Sequence, residues 1–227
     1  MKPQQLPFDL GHREAFARDD LWVSQSNADA VAWLDKYPGW PAPALVIYGP
    51  PASGKTHLAR VWQKQTDALD VTPQNINDLR GINDFPQATI IDDIEKFIGD
   101  NDGETALFHT YNRAKEEGAH LLLTAERAPA QWNFTLPDLK SRIMAAPAVA
   151  IAEPDEQLMS IVLAKLFSDR QLAVPADVIE FVVKRIERSF AALRHIAVEI
   201  DKQSLSQKRP VTVPLAREIL QAQGVLI

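Results

Sequence analysis

The chain has 227 residues, 46% of them hydrophobic, with a formal net charge of −6 and a pI of about 5.4. This length suits one large domain or a domain with a smaller companion, and the apolar fraction is enough to build a core. The acidic balance argues against broad nucleic-acid binding through a basic surface, although a local basic patch stays open. The absence of cysteine excludes disulfides and thiolate metal sites and fits a reducing cytosol.

The first residues, 1–12, are rich in proline and glutamine and show no helical period, which predicts a flexible tail. This stretch lacks the long apolar core of a secretory signal. No run of about 18 apolar residues occurs in the sequence, so we expect no membrane span. These features predict a cytoplasmic protein without a membrane partner.

Residues 13–152 carry alternating helical and strand patterns. The predicted elements are helix 26–36 with Ser26 or Asn27 as its N-cap, strand 44–48, helix 57–62, strand 88–91, helix 104–117, strand 119–124 and strand 148–151. Strands that alternate with helices indicate an α/β domain with a parallel sheet covered on both faces.

The character of the sequence changes near residue 153, and from there the pattern is helical. Apolar residues at helical spacing run from Leu158 to Leu166, and further helices are predicted from Pro175, after Ser189 and near Pro214. We therefore predict a small C-terminal helical domain at 153–227 behind the α/β domain at 13–152.

A nucleotide-phosphate loop is the strongest motif in the chain. Residues 49–56 read G-x-x-x-x-G-K-T, between a predicted strand and a predicted helix. Backbone N–H groups of such a turn, with the positive end of the helix, bind phosphates. Gly49 and Gly54 permit backbone angles and close approach that a Cβ would block. Lys55 can reach the β- and γ-phosphates, and the Thr56 hydroxyl can ligate Mg²⁺.

Polar residues follow two other predicted strands. Asp92 and Asp93 come directly after strand 88–91, so their carboxylates are expected beside the phosphate loop. We expect Asp92 to hold Mg²⁺, directly or through water, and Asp93 to orient or deprotonate the attacking water. Thr124 is either a contact to the γ-phosphate or the water, or an ordinary strand-end residue.

An arginine lies shortly before the last predicted strand, in the segment Leu136–Arg142. If Arg142 points out of its own subunit, it can stabilise transition-state charge on a nucleotide held by a neighbour. By spacing alone, a surface arginine is the more frequent case, and the sequence leaves both interpretations open.

The combination of phosphate loop, paired acids, arginine segment and helical C-terminal domain resembles DnaA-related AAA+ ATPases over almost the whole chain. The tail adds a second resemblance, because residues 5–10 read Q-L-P-F-D-L and are similar to the Q-L-x-[LF]-x-L peptide that binds the bacterial sliding clamp. A clamp peptide directly before such a module is the layout of the Hda-like family of regulatory inactivators of DnaA. The clamp-binding residues would be Gln5, Leu6, Phe8 and Leu10.

The resemblance implies a protein that holds ADP or ATP with Mg²⁺, sits on the DNA polymerase III sliding clamp and promotes ATP hydrolysis by DnaA. Arg142 corresponds to the family's trans-acting arginine finger, and own turnover is expected to be weak. DNA would be contacted mainly through the clamp, and a homodimer stays open. The implied nucleotide contacts are Leu21 and Val23 around the adenine pocket, next to Trp22, and Gly49, Pro50, Pro51, Ala52, Ser53, Gly54, Lys55, Thr56 and His57 around the phosphates.

The chain departs from the family at the second sensor arginine, whose matching position is Ala191. Arg188 and Arg194 are the candidate substitutes, and each would have to project from another helix face. This departure fits a protein that works while holding ADP. Two other hypotheses stay open, an autonomous AAA+ ATPase of helicase-loader type and a non-enzymatic structural relative that only binds membrane or protein partners.

Overall fold

A five-stranded parallel sheet organises the first part of the chain in the computed structural model, which describes residues 22–80, 82–207 and 209–224. The strands are β1 (Ala44–Tyr48), β2 (Leu69–Val71), β3 (Ala88–Ile91), β4 (His120–Ala125) and β5 (Ala148–Ala150). The helices are α1 (Ala28–Leu34), α2 (Lys55–Thr66), α3 (Asn101–Glu117), α4 (Pro137–Ala145), α5 (Glu156–Asp169), α6 (Ala176–Val183), α7 (Phe190–Gln207) and α8 (Val213–Ala222). Short 3₁₀ helices lie at Ile76–Arg80, Ile94–Phe97 and Pro129–Gln131.

The sheet order is β2-β3-β4-β1-β5, and every neighbouring pair is parallel. Ile47 of β1 lies opposite Thr124 of β4, and Ile91 of β3 lies opposite Leu123. The carboxyl ends of β1, β3 and β4 therefore share one edge of the sheet. This edge brings together the phosphate loop, the paired acids and Thr124.

Both faces of the sheet are buried. Consecutive strand residues point to opposite sides of the sheet, and each side has its own core. Ile91 belongs to the core that contains residues of α3 and α4, whereas its neighbour Ile90 belongs to the core that contains residues of α1 and α2. The continuous apolar runs of the strands are explained by this double burial. The predicted α/β class and helix-covered parallel sheet are confirmed.

The C-terminal helices α5 to α8 surround a separate core. Phe167, Ile196 and Leu215 are buried at its centre. The Asp155 carboxylate caps α5 by accepting a hydrogen bond of 2.8 Å from the Leu158 N–H. These helices agree with the predicted helical segments, while the predicted domain bounds at 13–152 and 153–227 stay a prediction.

Three local features differ from the sequence-based expectations. The edge strand β2 was not expected, because it has three residues and Leu69 is 41% exposed. The segment that carries Arg142 is a helix, α4, and Pro137 stands in its first turn. Asn27 is the N-cap residue of α1, but its amide accepts from the Ser24 N–H at 2.9 Å and donates to the Trp22 carbonyl.

Within the described residues, none of the helices combines the length and apolar character that crossing a bilayer requires.

Candidate functional site

The phosphate loop joins β1 to α2, and its two glycines are needed for different reasons. A Cβ on Gly49 would lie 2.2 Å from the Ile151 carbonyl oxygen, so the loop can pass β5 only as glycine. Gly54 is the N-cap residue of α2 with a φ of +102°, a left-handed angle that favours glycine. A Cβ there would also lie 2.9 Å from the ring of Phe190, the first residue of α7, in the C-terminal helical unit α5 to α8 that we call the lid.

Lys55 is folded into the loop and is only 6% exposed. Its ammonium donates hydrogen bonds of 2.8 Å to the carbonyl oxygens of Gly49 and Pro50. Burial lowers the pKa of Lys55, while the carboxylates of Glu126, Asp93 and Asp92 act in the opposite direction. A cation held this way is poorly hydrated, which makes exchange onto phosphate oxygens favourable.

Asp92, Thr56 and Thr124 form a hydrogen-bonded group at the sheet edge. The Thr56 hydroxyl donates to Asp92 Oδ2 at 3.0 Å, and the buried Thr124 hydroxyl donates to Asp92 Oδ1. Thr124 also accepts the Asp93 N–H at 3.0 Å, so it holds both acids in place. Its suggested contact to a γ-phosphate stays a prediction.

A hydroxyl beside a carboxylate is a donor set that suits Mg²⁺, which prefers hard oxygen ligands and shares them with nucleotide phosphates. Thr56 and Asp92 therefore fit the predicted metal site. In the described ranges there is no cluster of three or more histidine, aspartate or glutamate side chains that could hold a metal without a nucleotide.

Asp93 starts the 3₁₀ helix Ile94–Phe97 with a φ of 56°. Its carboxylate is 44% exposed and lies 3.0 Å from the Lys96 ammonium. Asp93 also lines the cavity above the phosphate loop. Its predicted role in orienting or deprotonating water stays a prediction, and any such role would compete with the ion pair.

A cavity of about 870 Å³ lies between the phosphate loop and the lid helices. This volume is within the range of about 300–1,000 Å³ that is common for small-molecule sites. Its lining combines the segment before α1, the loop, α2 and the lid: Trp22, Asn27, Pro51, Ala52, Ser53, Gly54, Lys55, Thr56, His57, Leu58, Arg60, Asp93, Glu126, Leu158, Val162, Lys165, Leu166, Asp169, Phe190 and Arg194.

The predicted adenine segment is only partly in this cavity. Trp22 lines it, and its buried indole N–H has no hydrogen-bond partner within the described residues, so it is available to a ligand acceptor. Val23 instead packs against the core beneath α1 and α2. Leu21 lies outside the described residues, as do Gln5, Leu6, Phe8 and Leu10 of the predicted clamp peptide.

The lid contacts the phosphate loop through the first residue of α7. The Phe190 N–H donates to the Ala52 carbonyl at 3.1 Å, and its ring packs on Gly54. Sequence reasoning missed Phe190, since an aromatic residue at a helix start is an ordinary core signal. His57 lies nearby, and burial together with the positive charges of Lys64 and Arg194 lowers its pKa.

Arg142 lies on a second surface, formed by α3 and α4, which we call the arginine face. Its Nε donates to Asn112 Oδ1 at 2.7 Å, and its guanidinium carbon lies 4.4 Å from the centre of the Phe108 ring. Nη1 donates to the Asp138 carbonyl at 3.2 Å. Arg142 is not among the described residues that line the cavity of its own chain.

Glu104 connects α3 to the start of α4 and was not singled out in the sequence. This buried carboxylate accepts backbone N–H groups of Gly99 at 2.8 Å, Thr135 at 2.9 Å and Leu136 at 2.6 Å. Burial opposes its ionisation, but the backbone donors outweigh burial and lower the pKa of Glu104. An acid inside the apolar stripe of a predicted helix is the one signal that could have revealed it.

Solved structures with the same architecture come from replication initiators and a branch-migration motor. Domain III of DnaA from Thermotoga maritima is 23% identical, with a TM-score of 0.75, over 88% of this chain and 93% of that chain. AMPPCP-bound DnaA from Aquifex aeolicus is 16% identical, with a TM-score of 0.65, over 81% of this chain and 64% of that chain. The RuvB branch migration motor of Thermotoga maritima is 14% identical, with a TM-score of 0.69, over 88% and 70%.

Identities this low establish the AAA+ fold alone. Family models resolve the assignment further, because the bacterial DnaA ATPase domain matches residues 63–150 and the Hda lid domain matches residues 155–220. The two matches do not overlap. The first contains the cavity-lining residues Asp93 and Glu126, and the second contains the lining residues of the lid helices. The chain is therefore an Hda-like, DnaA-related AAA+ protein.

Proposed function

We propose that this protein is a nucleotide-binding adaptor which, attached to the DNA-loaded sliding clamp, stimulates ATP hydrolysis by DnaA and so represses re-initiation of replication. The observation that carries this proposal is the position of Arg142. It is held on the arginine face by Asn112 and Phe108, and it is absent from the described lining of its own cavity. An arginine there is suited to a nucleotide bound by a neighbouring molecule.

The chemistry that Arg142 supplies is charge stabilisation. When the γ-phosphoryl group of DnaA-bound ATP is transferred to water, negative charge spreads over its oxygens, and a guanidinium stabilises it. Asn112 fixes the guanidinium plane through Nε, while Phe108 supports one face of that plane. Prior orientation of this kind avoids part of the entropy cost of placing a long side chain during the reaction.

The protein's own cavity has the features of a nucleotide holder. Lys55 would bind phosphate oxygens, and Thr56 with Asp92 would hold Mg²⁺, which would neutralise phosphate charge. Asp93 is paired with Lys96, and Ala191 offers no guanidinium, so weak turnover is expected. An adenine nucleotide is supported by the likeness to AMPPCP-bound DnaA, and we propose ADP as the working ligand.

The decisive experiment measures ATP hydrolysis by DnaA in the presence of clamp-loaded DNA and the full-length chain. We expect Arg142→Ala to lose stimulation by a factor of about 10³ or more, the range for arginine fingers. Lys140→Ala removes an exposed cation of the same helix and is the matched control. Stimulation by Arg142→Ala equal to that by the wild type would refute the proposed finger.

Clamp attachment is tested separately through the tail. An extended peptide in an apolar groove accounts for Leu6, Phe8 and Leu10, since apolar side chains in a tail need a binding partner. We expect Gln5→Ala combined with Leu6→Ala to abolish retention on immobilised clamp, whereas Gln4→Ala is retained. Full retention of the double variant would remove the clamp from the proposal.

One observation favours the alternative of an autonomous ATPase of helicase-loader type. Thr56, Asp92 and Thr124 form an intact hydrogen-bonded group beside a complete phosphate loop. That alternative requires sustained ATP turnover by the purified protein without DnaA or clamp. Turnover that is slow alone and rises only with DnaA on clamp-loaded DNA supports the adaptor.

A further inference from the structure

The beginning of α7 stands directly over the phosphate loop. Phe190 donates its N–H to the Ala52 carbonyl at 3.1 Å and packs its ring on Gly54. A cationic side chain from this turn or the next turn of α7 would therefore face phosphates bound by the loop. Ala191 occupies the first turn, is exposed, and has no group that binds an anion.

Arg188 precedes α7 and is engaged elsewhere. Its guanidinium lies 3.0 Å from the carboxylate of Glu156, at the start of α5, and its side chain is 54% exposed. Arg188 is also absent from the described residues that line the cavity. Its position is that of a surface ion pair on the lid.

Arg194 is also exposed, but unlike Arg188 it lines the cavity. It follows Ala191 by three residues and Phe190 by four, and residues at these spacings are neighbours on one helix surface. Side chains of a helix lean toward its N-terminus, so the Arg194 side chain is directed back toward the first turn of α7. No hydrogen bond or ion pair within the described ranges engages its guanidinium.

We infer that Arg194 is the lid cation that binds the terminal phosphates of the nucleotide, replacing from the next helical turn the arginine missing at Ala191. The inference rests on the proposed function only in that the cavity holds an adenine nucleotide. Lys55 would contact the phosphates from the loop, and Arg194 would contact them from the lid. Bound nucleotide would thereby add a phosphate bridge to the Phe190 contact between lid and loop.

The positive charge of Arg194 acts on His57, another residue that lines the cavity. It contributes, with burial and Lys64, to the lowered pKa of His57, so His57 stays neutral at neutral pH. The cations that line the cavity are Lys55 and Arg60 on the sheet side and Lys165 and Arg194 on the lid side. Of the two lid cations, Arg194 lies on α7, whose first residue contacts the phosphate loop. Affinity should therefore depend on Arg194 more strongly for ADP and ATP than for AMP.

The test is equilibrium binding of a fluorescent ADP analogue to the full-length protein, with competition by AMP, ADP and ATP. We expect Arg194→Gln to weaken ADP and ATP binding by about tenfold, the scale of a hydrogen bond to a charged group. AMP binding should change by less than about twofold, because AMP lacks the β- and γ-phosphates that the lid cation would bind. Arg188→Gln is the matched control and should bind all three nucleotides as the wild type does.

A second variant separates phosphate binding from lid packing. In the Arg194→Gln background, Ala191→Arg should restore ADP and ATP affinity, because it returns a guanidinium to the first turn of α7. Unchanged binding by Arg194→Gln, an equal loss for AMP, or no recovery by Ala191→Arg would overturn the assignment. These outcomes leave the adaptor proposal standing, whereas a wild-type protein that binds no nucleotide removes both.

Discussion

The cavity and the arginine face differ in how they hold a cation, since Lys55 is buried and Arg142 lies at a surface. Lys55 is buried in the cavity and bonded to the carbonyls of its own loop, and a lid closes over it. Arg142 is fixed on the arginine face by Asn112 and Phe108, at the surface of α3 and α4. A desolvated cation under a lid is suited to holding an anion, and an oriented cation at a surface is suited to acting on a partner.

The two regions are joined by one stretch of chain. Asp92 and Asp93 at the sheet edge lead through the 3₁₀ helix Ile94–Phe97 to Gly99, which donates to Glu104. Glu104 in turn accepts the N–H groups that precede α4, the helix of Arg142. The cavity and the arginine face are therefore connected through Glu104 while their cations lie on separate surfaces, and variants can test whether the two regions act separately.

The largest effect expected on nucleotide binding is at Lys55 in the cavity. Lys55→Ala should reduce ADP affinity by about 100-fold or more, because it removes charge-assisted hydrogen bonds to phosphate oxygens. The rise in thermal unfolding temperature on adding ADP should disappear with it. Arg142→Ala should keep both the wild-type affinity and the wild-type temperature shift. A loss of ADP binding in Arg142→Ala would contradict the separation of the two regions.

The connection between the regions is tested by Glu104→Gln. The substitution removes the charge that three backbone N–H groups share and turns an amide N–H₂ toward donors. We expect the free energy of unfolding to fall by about 2 to 3 kcal/mol, the scale of hydrogen bonds to a buried charged group. Urea denaturation measures it, and Glu116→Gln, an exposed acid of the same helix, is the control.

The same carboxylate predicts a pH dependence with a defined sign. The folded-state pKa of Glu104 is lowered, so its stabilisation is present above the unfolded value of about 4.3 and is lost as pH falls through the folded pKa. Wild-type stability should therefore decline on acidification below about pH 5, and Glu104→Gln should decline less steeply. Parallel pH profiles for the two proteins would show that Glu104 is not the titrating group.

Secondary-structure elements and motifs that depend on neighbouring residues could be predicted from the sequence. The strands β1 and β3, the loop between residues 49 and 56 and most lid helices follow from apolar runs, glycine spacing and helical periodicity. The strand β2 was missed because three residues at a sheet edge, one of them Asp70, carry no apolar run. Helix α4 was missed because its apolar residues are few and its segment was interpreted by its arginine.

Contacts between distant segments were harder to predict. The sheet edge that gathers Thr56, Asp92 and Thr124 follows from parallel strands, so it was predictable. Nothing local indicated that Phe190 would pack on Gly54 or that Arg194 would line the cavity while Arg188 pairs with Glu156. These choices depend on how the lid docks, which no periodicity encodes.

The smallest expected effect tests how the arginine face works. Asn112→Ala removes the acceptor 2.7 Å from Arg142 Nε but keeps the Phe108 ring beneath the guanidinium. Stimulation of DnaA should fall by about tenfold, because one hydrogen bond to a charged group no longer orients Arg142. Lys115→Ala, an exposed position on the same helix, should be neutral, and ADP affinity should be unchanged in both variants. A fall as large as that of Arg142→Ala would mean that Asn112 itself contacts DnaA, because a loosened guanidinium still reaches the phosphate part of the time.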